Sequence, residues 1–177
     1  MPRCITDYLK HEHEALLQLL NELNNELRAL PLARDTAEAF ERLRKLAGQI
    51  SQRLHAHLEE EEKILYPALE AHVQGVSTTL DRMRLDNDAG EATGKAFSQS
   101  VEHLIESGQN REGVAHSGHR YIQWVRGHLL NENGRLLPLV ERRLDPQTQR
   151  KVRRAMEELC QETDAHFAAG LTDVPEA

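Results

Sequence analysis

Apolar residues return at alternating steps of four and three along nearly all of this 177-residue chain, and no stretch alternates at step two. That period lines one face of a helix and excludes a half-buried strand, so the chain reads as all-α. A first helix is predicted from about Thr6 to Leu30, capped by Thr6 or Asp7 and stopped by Pro31, with the buried row Leu9, His13, Leu16, Leu20, Leu23, Leu27, Leu30. A second, from about Thr36 to His72, carries Leu43, Ala47, Ile50, Leu54, His57, Glu61, Ile64 and Ala68, with a kink expected at Pro67. A third, from about Val76 to Ser107, carries Leu80, Met83, Asn87, Gly90, Gly94, Phe97, Val101 and Leu104. After a loop from Ser107 to Gly113, a fourth runs from about Val114 to Leu144. Its row is Gly118, Tyr121, Val125, His128, Glu132, Leu136 and Leu139, with a second kink expected at Pro138.

Short connections between long helices make antiparallel neighbours, so residues 6–144 are expected to form an up-down-up-down four-helix bundle. Asp145 before Pro146 is a helix-start signal, which places an additional C-terminal helix over residues 146–168, outside the bundle. One domain over residues 1–170 accounts for the length, with 171–177 as a frayed tail. A net charge of -7 excludes nucleic acid as a partner, because a phosphate backbone needs a basic face. No apolar run is long enough to span a membrane and no signal-peptide core is present, so a soluble cytoplasmic protein is expected. Cys4 and Cys160 stand far apart outside any C-x-x-C pattern and read as reduced thiols.

Ten histidines, against three Phe, three Tyr and one Trp, are the unusual feature of the composition. His13, His57, Glu61, Asn87, His128 and Glu132 interrupt apolar rows, and at about 1.5 Å of rise per residue they fall at similar depths from one end of an antiparallel bundle. Burying carboxylates and imidazoles there without a cation costs several kcal/mol per uncompensated charge. His-x-x-x-Glu, one helical turn, occurs at His57/Glu61 and at His128/Glu132, and puts both groups of each pair within reach of a metal. His55 and Glu59 repeat the spacing off the buried row, and the run Glu59 to Glu62 otherwise reads as a solvated face. Tyr121 reads as core. His119 is an alternative source of a ligand. The Glu-x-x-His of ferritin-like oxidation sites and the H-E-x-x-H of zinc proteases are both absent.

The two pairs lie in an internal repeat. His57 to Glu70 aligns without a gap on His128 to Glu141, with six of fourteen positions identical, among them His, Glu and Pro. The stretch H-x-x-x-E-E-x-x-L-Y-P at His57 to Pro67, its degenerate second copy and Glu12-His13 after Leu9 resemble the motifs of the hemerythrin-like HHE cation-binding domains. That resemblance covers the four bundle helices. It implies non-haem iron, as two ions held by histidines from all four helices and bridged by the two glutamates. In the family the third helix supplies a His, commonly within M-x-x-E-H, whereas this chain reads Met83-Arg-Leu-Asp86-Asn87-Asp88. Either Asp86 or Glu91 replaces the imidazole with a carboxylate, or the centre is asymmetric or mononuclear. The resemblance implies binding or sensing of dioxygen, nitric oxide or peroxide. Its alternatives are an iron enzyme of oxidative or nitrosative stress defence or iron-centre repair, and a bundle with a degenerate site. No catalytic acid is identifiable from the residues, and a homodimer is compatible with the sequence.

Overall fold

The computed structural model describes residues 4–33 and 36–170; the expected tail at 171–177 lies outside them. Helix α1 is Ile5–Ala29, closed by a 3-10 turn at Leu30–Leu32. Helix α2 is Thr36–Glu60 and passes through a π-helical turn, Glu61–Leu65, into α3, Tyr66–His72. Helix α4 is Ser77–Ser107. Helix α5 is Arg111–Asn131, and a second π turn, Glu132–Leu136, leads into α6, Leu137–Arg143. Helix α7 is Pro146–Gly170. The first cap differs from expectation: Cys4, in extended backbone, precedes Ile5, and Tyr8 N–H donates to the Cys4 carbonyl. The α4–α5 hairpin is tighter than the loop expected there. Gly108 and Asn110 both adopt left-handed φ, near 67° and 69°, and the Asn110 side chain accepts from Gly113 N–H. Asp145 caps α7 as expected, accepting from the Thr148 hydroxyl and from the Thr148 and Gln147 amides, bonds that hold its carboxyl down at about 2.

Neighbour packing runs α1 to α2, α2 to α4, α4 to α5 and α5 back to α1, a closed four-helix ring. Helix α7 lies outside that ring against α1, α2 and the first π turn. The apolar interior is split in two. One core gathers Leu16 to Leu30 of α1 with residues of α2, α4 and α5, such as Ile50, Phe97 and Val125. The other gathers Ile5 and Leu9 with Leu65, Leu69, Leu80, Leu136 and Val140, and takes Val152 and Met156 from α7. Between them lie His13, His57, Glu61, Asn87, His128 and Glu132, all at most 3% exposed.

The buried rows of α1 and α4 follow the expected sequence positions throughout. Those of the second and fourth helices do so only as far as Glu61 and Leu136. Beyond them, the predicted Ile64 and Ala68 are only partly buried, and Leu65, Tyr66 and Leu69 face inward instead. Leu139 likewise yields to Leu137 and Val140. The cause is the π turn that stands where a proline kink was expected. Tyr66 N–H reaches back five residues to Glu61 C=O and Leu137 N–H does so to Glu132 C=O, each accommodating one extra residue in the turn. Pro67 and Pro138 follow in the first turn of α3 and α6, where a missing N–H is tolerated.

Two small residues allow α5 to approach α4 closely. A Cβ at Gly94 would crowd the Tyr121 ring, and one at Gly90 would overlap the Trp124 ring. Trp124 cannot retreat freely, because it stacks on His128 at 4.9 Å between ring centroids and its indole N–H donates to Asp86. Gly90→Ala is therefore expected to destabilise the metal-free fold by about 1–3 kcal/mol. Urea denaturation followed by fluorescence of the single Trp measures this; an unchanged midpoint with an unchanged emission maximum counts against the packing described.

Candidate metal centre

Glu132 is the hub of the buried layer. Its Oε1 lies 2.6 Å from His128 Nε2, and its Oε2 lies 3.2 Å from His13 Nε2 and 3.3 Å from His57 Nε2. Three helices, α1, α2 and α5, thus each aim an imidazole at one carboxylate on the second π turn. Glu61, on the first π turn, completes the group. One donor atom each from His57, Glu61, His128 and Glu132 lie within 4.8 Å of one another. Donors around a single ion at about 2.0–2.2 Å can be no more than about 4.4 Å apart, so slight contraction lets all four reach one cation.

The polar atoms of the layer are incompletely paired with one another. His13 Nε2, His57 Nδ1, Glu61 Oε1, His128 Nε2, Glu132 Oε1 and Asn87 Oδ1 are buried without a hydrogen-bond partner. Even the short His128–Glu132 contact lacks hydrogen-bond direction. Buried polar atoms left so carry a desolvation cost of about 1–3 kcal/mol each, which a cation bound among them removes. Electrostatics shows the same incompleteness. Burial opposes ionisation of Glu132, yet the three imidazoles outweigh it and hold its carboxyl well below the usual range. Burial and the neighbouring Glu132 charge push Glu61 well above it. His57 is drawn down by burial and up by Glu132 and Glu61, and the carboxylates win, holding it at about 9.

A supporting layer fixes the imidazoles. Asp86 stands outside the cluster: its Oδ2 is 3.3 Å from His128 Nδ1 while its Oδ1 accepts from Trp124. It thereby orients His128 from behind, as carboxylates do for metal-bound histidines. His13 Nδ1 lies 3.1 Å from Asn133 Oδ1. Asn87 Nδ2 donates to Glu62 Oε1 at 2.8 Å, and its amide lies beside the Tyr66 hydroxyl. Glu91 is exposed and pairs with His55 at 3.2 Å, which leaves both outside the buried layer. His116 is exposed and His119 partly exposed, and neither enters the layer.

Two residues escaped the sequence reading. Tyr66 is fully buried and donates to Glu61 Oε2 at 2.9 Å. The π turn carries it to the face occupied by Glu61, whereas an unbroken α-helix turns it aside; its place in the L-Y-P motif was the available signal. Glu60 corrects the reading of Glu59 to Glu62 as solvated. It is 1% exposed and accepts from Tyr8 OH at 3.0 and 3.1 Å, with burial the main cause raising its carboxyl to about 7. Helix α7, the additional helix expected over residues 146–168, supplies the cover on that side.

An all-helical ring with a buried, cation-ready His/Glu layer defines a class of metal-binding bundle. The hemerythrin HHE cation binding domain family matches residues 4–140, most of the chain, and the protein belongs to that family. No curated protein matches it.

His57→Ala and His128→Ala are each expected to weaken metal binding at least about tenfold, and Asp86→Ala about 10–100-fold, while His55→Ala leaves it unchanged. Chelator competition reads all four; equal effects at His55 and His57 contradict the geometry. The pH dependence has opposite signs for the two states. His57 gains a proton in the metal-free fold, a stabilisation full below its unfolded value near 6.5 and lost as pH rises through about 9. Metal must displace that proton, so affinity should climb over the same window as metal-free stability falls. Thermal melts and chelator titrations at pH 6, 7.5 and 9 test both slopes.

Proposed function

We propose that the layer holds non-haem iron and that the protein binds or senses a small oxidant, dioxygen, nitric oxide or peroxide. The observation that carries this reading is the set of three imidazoles and two carboxylates buried together, with five of their polar atoms lacking a hydrogen bond. Such a mixed nitrogen and oxygen set, without thiolate, suits iron. His13, His57, Glu61, His128 and Glu132 would hold it, five donors that suit a pair of ions, as family membership implies. When bound, iron supplies a redox-active centre with a coordination position open to a small molecule.

The chain's own part is to position and to exclude. His13, His57 and His128 provide neutral donors once deprotonated, Asp86 and Asn133 hold two of the rings in orientation, and the two apolar cores keep bulk water from the layer. On the α4 side, Asn87 offers a weak neutral oxygen in place of an imidazole, which favours unequal halves with the more open position beside Tyr66 and Glu61.

Tyr66 supports a second reading, turnover of peroxide or nitric oxide. Its hydroxyl is a buried O–H on Glu61, kept protonated by burial and by the two carboxylates, and can hand a hydrogen bond to a molecule arriving there. Protein produced with iron is expected to hold about two equivalents and to show absorption bands that respond reversibly to oxygen or nitric oxide. Tyr66→Phe should retain iron and binding while slowing any peroxide decay about 10²-fold or more. Metal-free protein after iron-supplemented production overturns the reading; equal peroxide decay in wild type and variant removes the second one.

A further inference from the structure

The buried layer is sealed on three sides. Helix α7 covers the α1/α2 side, where Tyr8 and Glu60 bond beneath it. Trp124, stacked on His128, closes the α4/α5 side. Asn133 on His13 covers the α5/α1 side. The α2/α4 side differs. A crevice of about 230 Å³ there reaches inward to Asn87 and shares His55, Leu58, Asp88 and Glu91 with a wider groove of about 1050 Å³ along the same seam. The cavity between α1 and α2, about 360 Å³, touches no residue of the buried layer.

The crevice is acidic. Glu59, Glu62, Asp88 and Glu91 line it with only Lys63 and His55 as cationic partners, and these pair with Glu59 and Glu91. At its floor Asn87 is 2% exposed with a partnerless Oδ1. From there polar groups continue inward without a break. Exposed Glu62 accepts from Asn87, Asn87 adjoins the Tyr66 hydroxyl, and Tyr66 donates to Glu61. Among the described residues, no three carboxylates or imidazoles in the crevice converge as those of the layer do, so it is a passage and not a second holding site.

We propose that this acidic crevice between α2 and α4 is the route by which a divalent cation reaches the buried layer, passing from the Glu62 carboxylate along Asn87 and Tyr66 to Glu61. A metal ion cannot cross the apolar cores without losing its hydration uncompensated. Here oxygen donors replace that hydration stepwise, and the negative rim raises the local cation concentration. The inference rests on the metal-binding reading of the layer.

Uptake of Co²⁺ by the metal-free full chain, followed by stopped-flow visible absorption, tests it. Asp88→Asn combined with Glu91→Gln removes two rim charges and is expected to slow uptake about three- to tenfold at low ionic strength, with the same final stoichiometry. The difference should vanish near about 0.5 M salt, where charges are screened over a few ångströms. Glu106→Gln with Glu112→Gln, an equal charge change on exposed residues at the α4–α5 hairpin end, should leave the rate unchanged. Equal slowing by both pairs, or by neither, overturns the route. A lower final stoichiometry in the crevice variant also overturns it, since the residues would then hold metal and not guide it. Failure of the wild-type chain to take up any Co²⁺ overturns instead the metal-binding reading on which the route rests.

Discussion

The interaction on which the structure turns is the convergence of three imidazoles on the Glu132 carboxylate. A carboxylate with no exposed surface is sustained there by donors from three separate helices. This locks the mutual rotation and depth of α1, α2 and α5, since a slip of one residue in any of them moves an ionisable group into oil and an apolar one into the layer. Compensation among protein groups alone is partial. Glu132 is ionised at the expense of Glu61, which is driven toward its neutral form, and several atoms keep no partner. Partly satisfied polar networks are costly in a low-dielectric interior. The layer thus fixes the packing of the bundle while remaining chemically unfinished.

The internal repeat extends into three dimensions. The residue after each glutamate reaches a side chain on a neighbouring helix, Asn133 to His13 on α1 and Glu62 to Asn87 on α4. His13 and Asn87 are therefore counterparts in a pseudo-symmetric layer. The symmetry is broken twice on one side: at Asn87, by an amide in place of an imidazole, and at Tyr66, whose counterpart is Leu137. Both departures fall at the inner end of the α2/α4 crevice, so the half of the layer with fewer strong donors is also the half nearest water.

Most of the fold was legible because hydrophobic period reports directly on which helix face is buried, and the rows of α1 and α4 hold from end to end. The failures have one dominant cause. A periodic reading assumes a constant angle per residue, and the π turns at Glu61 and Glu132 change it locally, so Ile64, Ala68 and Leu139 were assigned to a face they do not occupy. The same change hid Tyr66. Glu60 was misjudged for another reason: its cover comes from Tyr8 and α7, partners distant in sequence that no local pattern contains. The position of Asp86 behind His128 likewise depends on how α4 meets α5, which rests on Gly90 admitting Trp124.

The paired π turns separate the molecule into two lengths of bundle whose helical phases are independent. Each turn absorbs one residue that an unbroken helix has no room for, about 100° of rotation. Winding either five-residue segment back into ordinary helix at its full length would swing the remainder around by more than a quarter revolution, and the apolar side of α3 or α6 would then face solvent. Removing one residue along with the turn would instead leave it facing as it does now. The underwound turns are consequently what keeps the apolar sides of α3 and α6 in line with those of α2 and α5, although Lys63 and Gly134 within them are exposed.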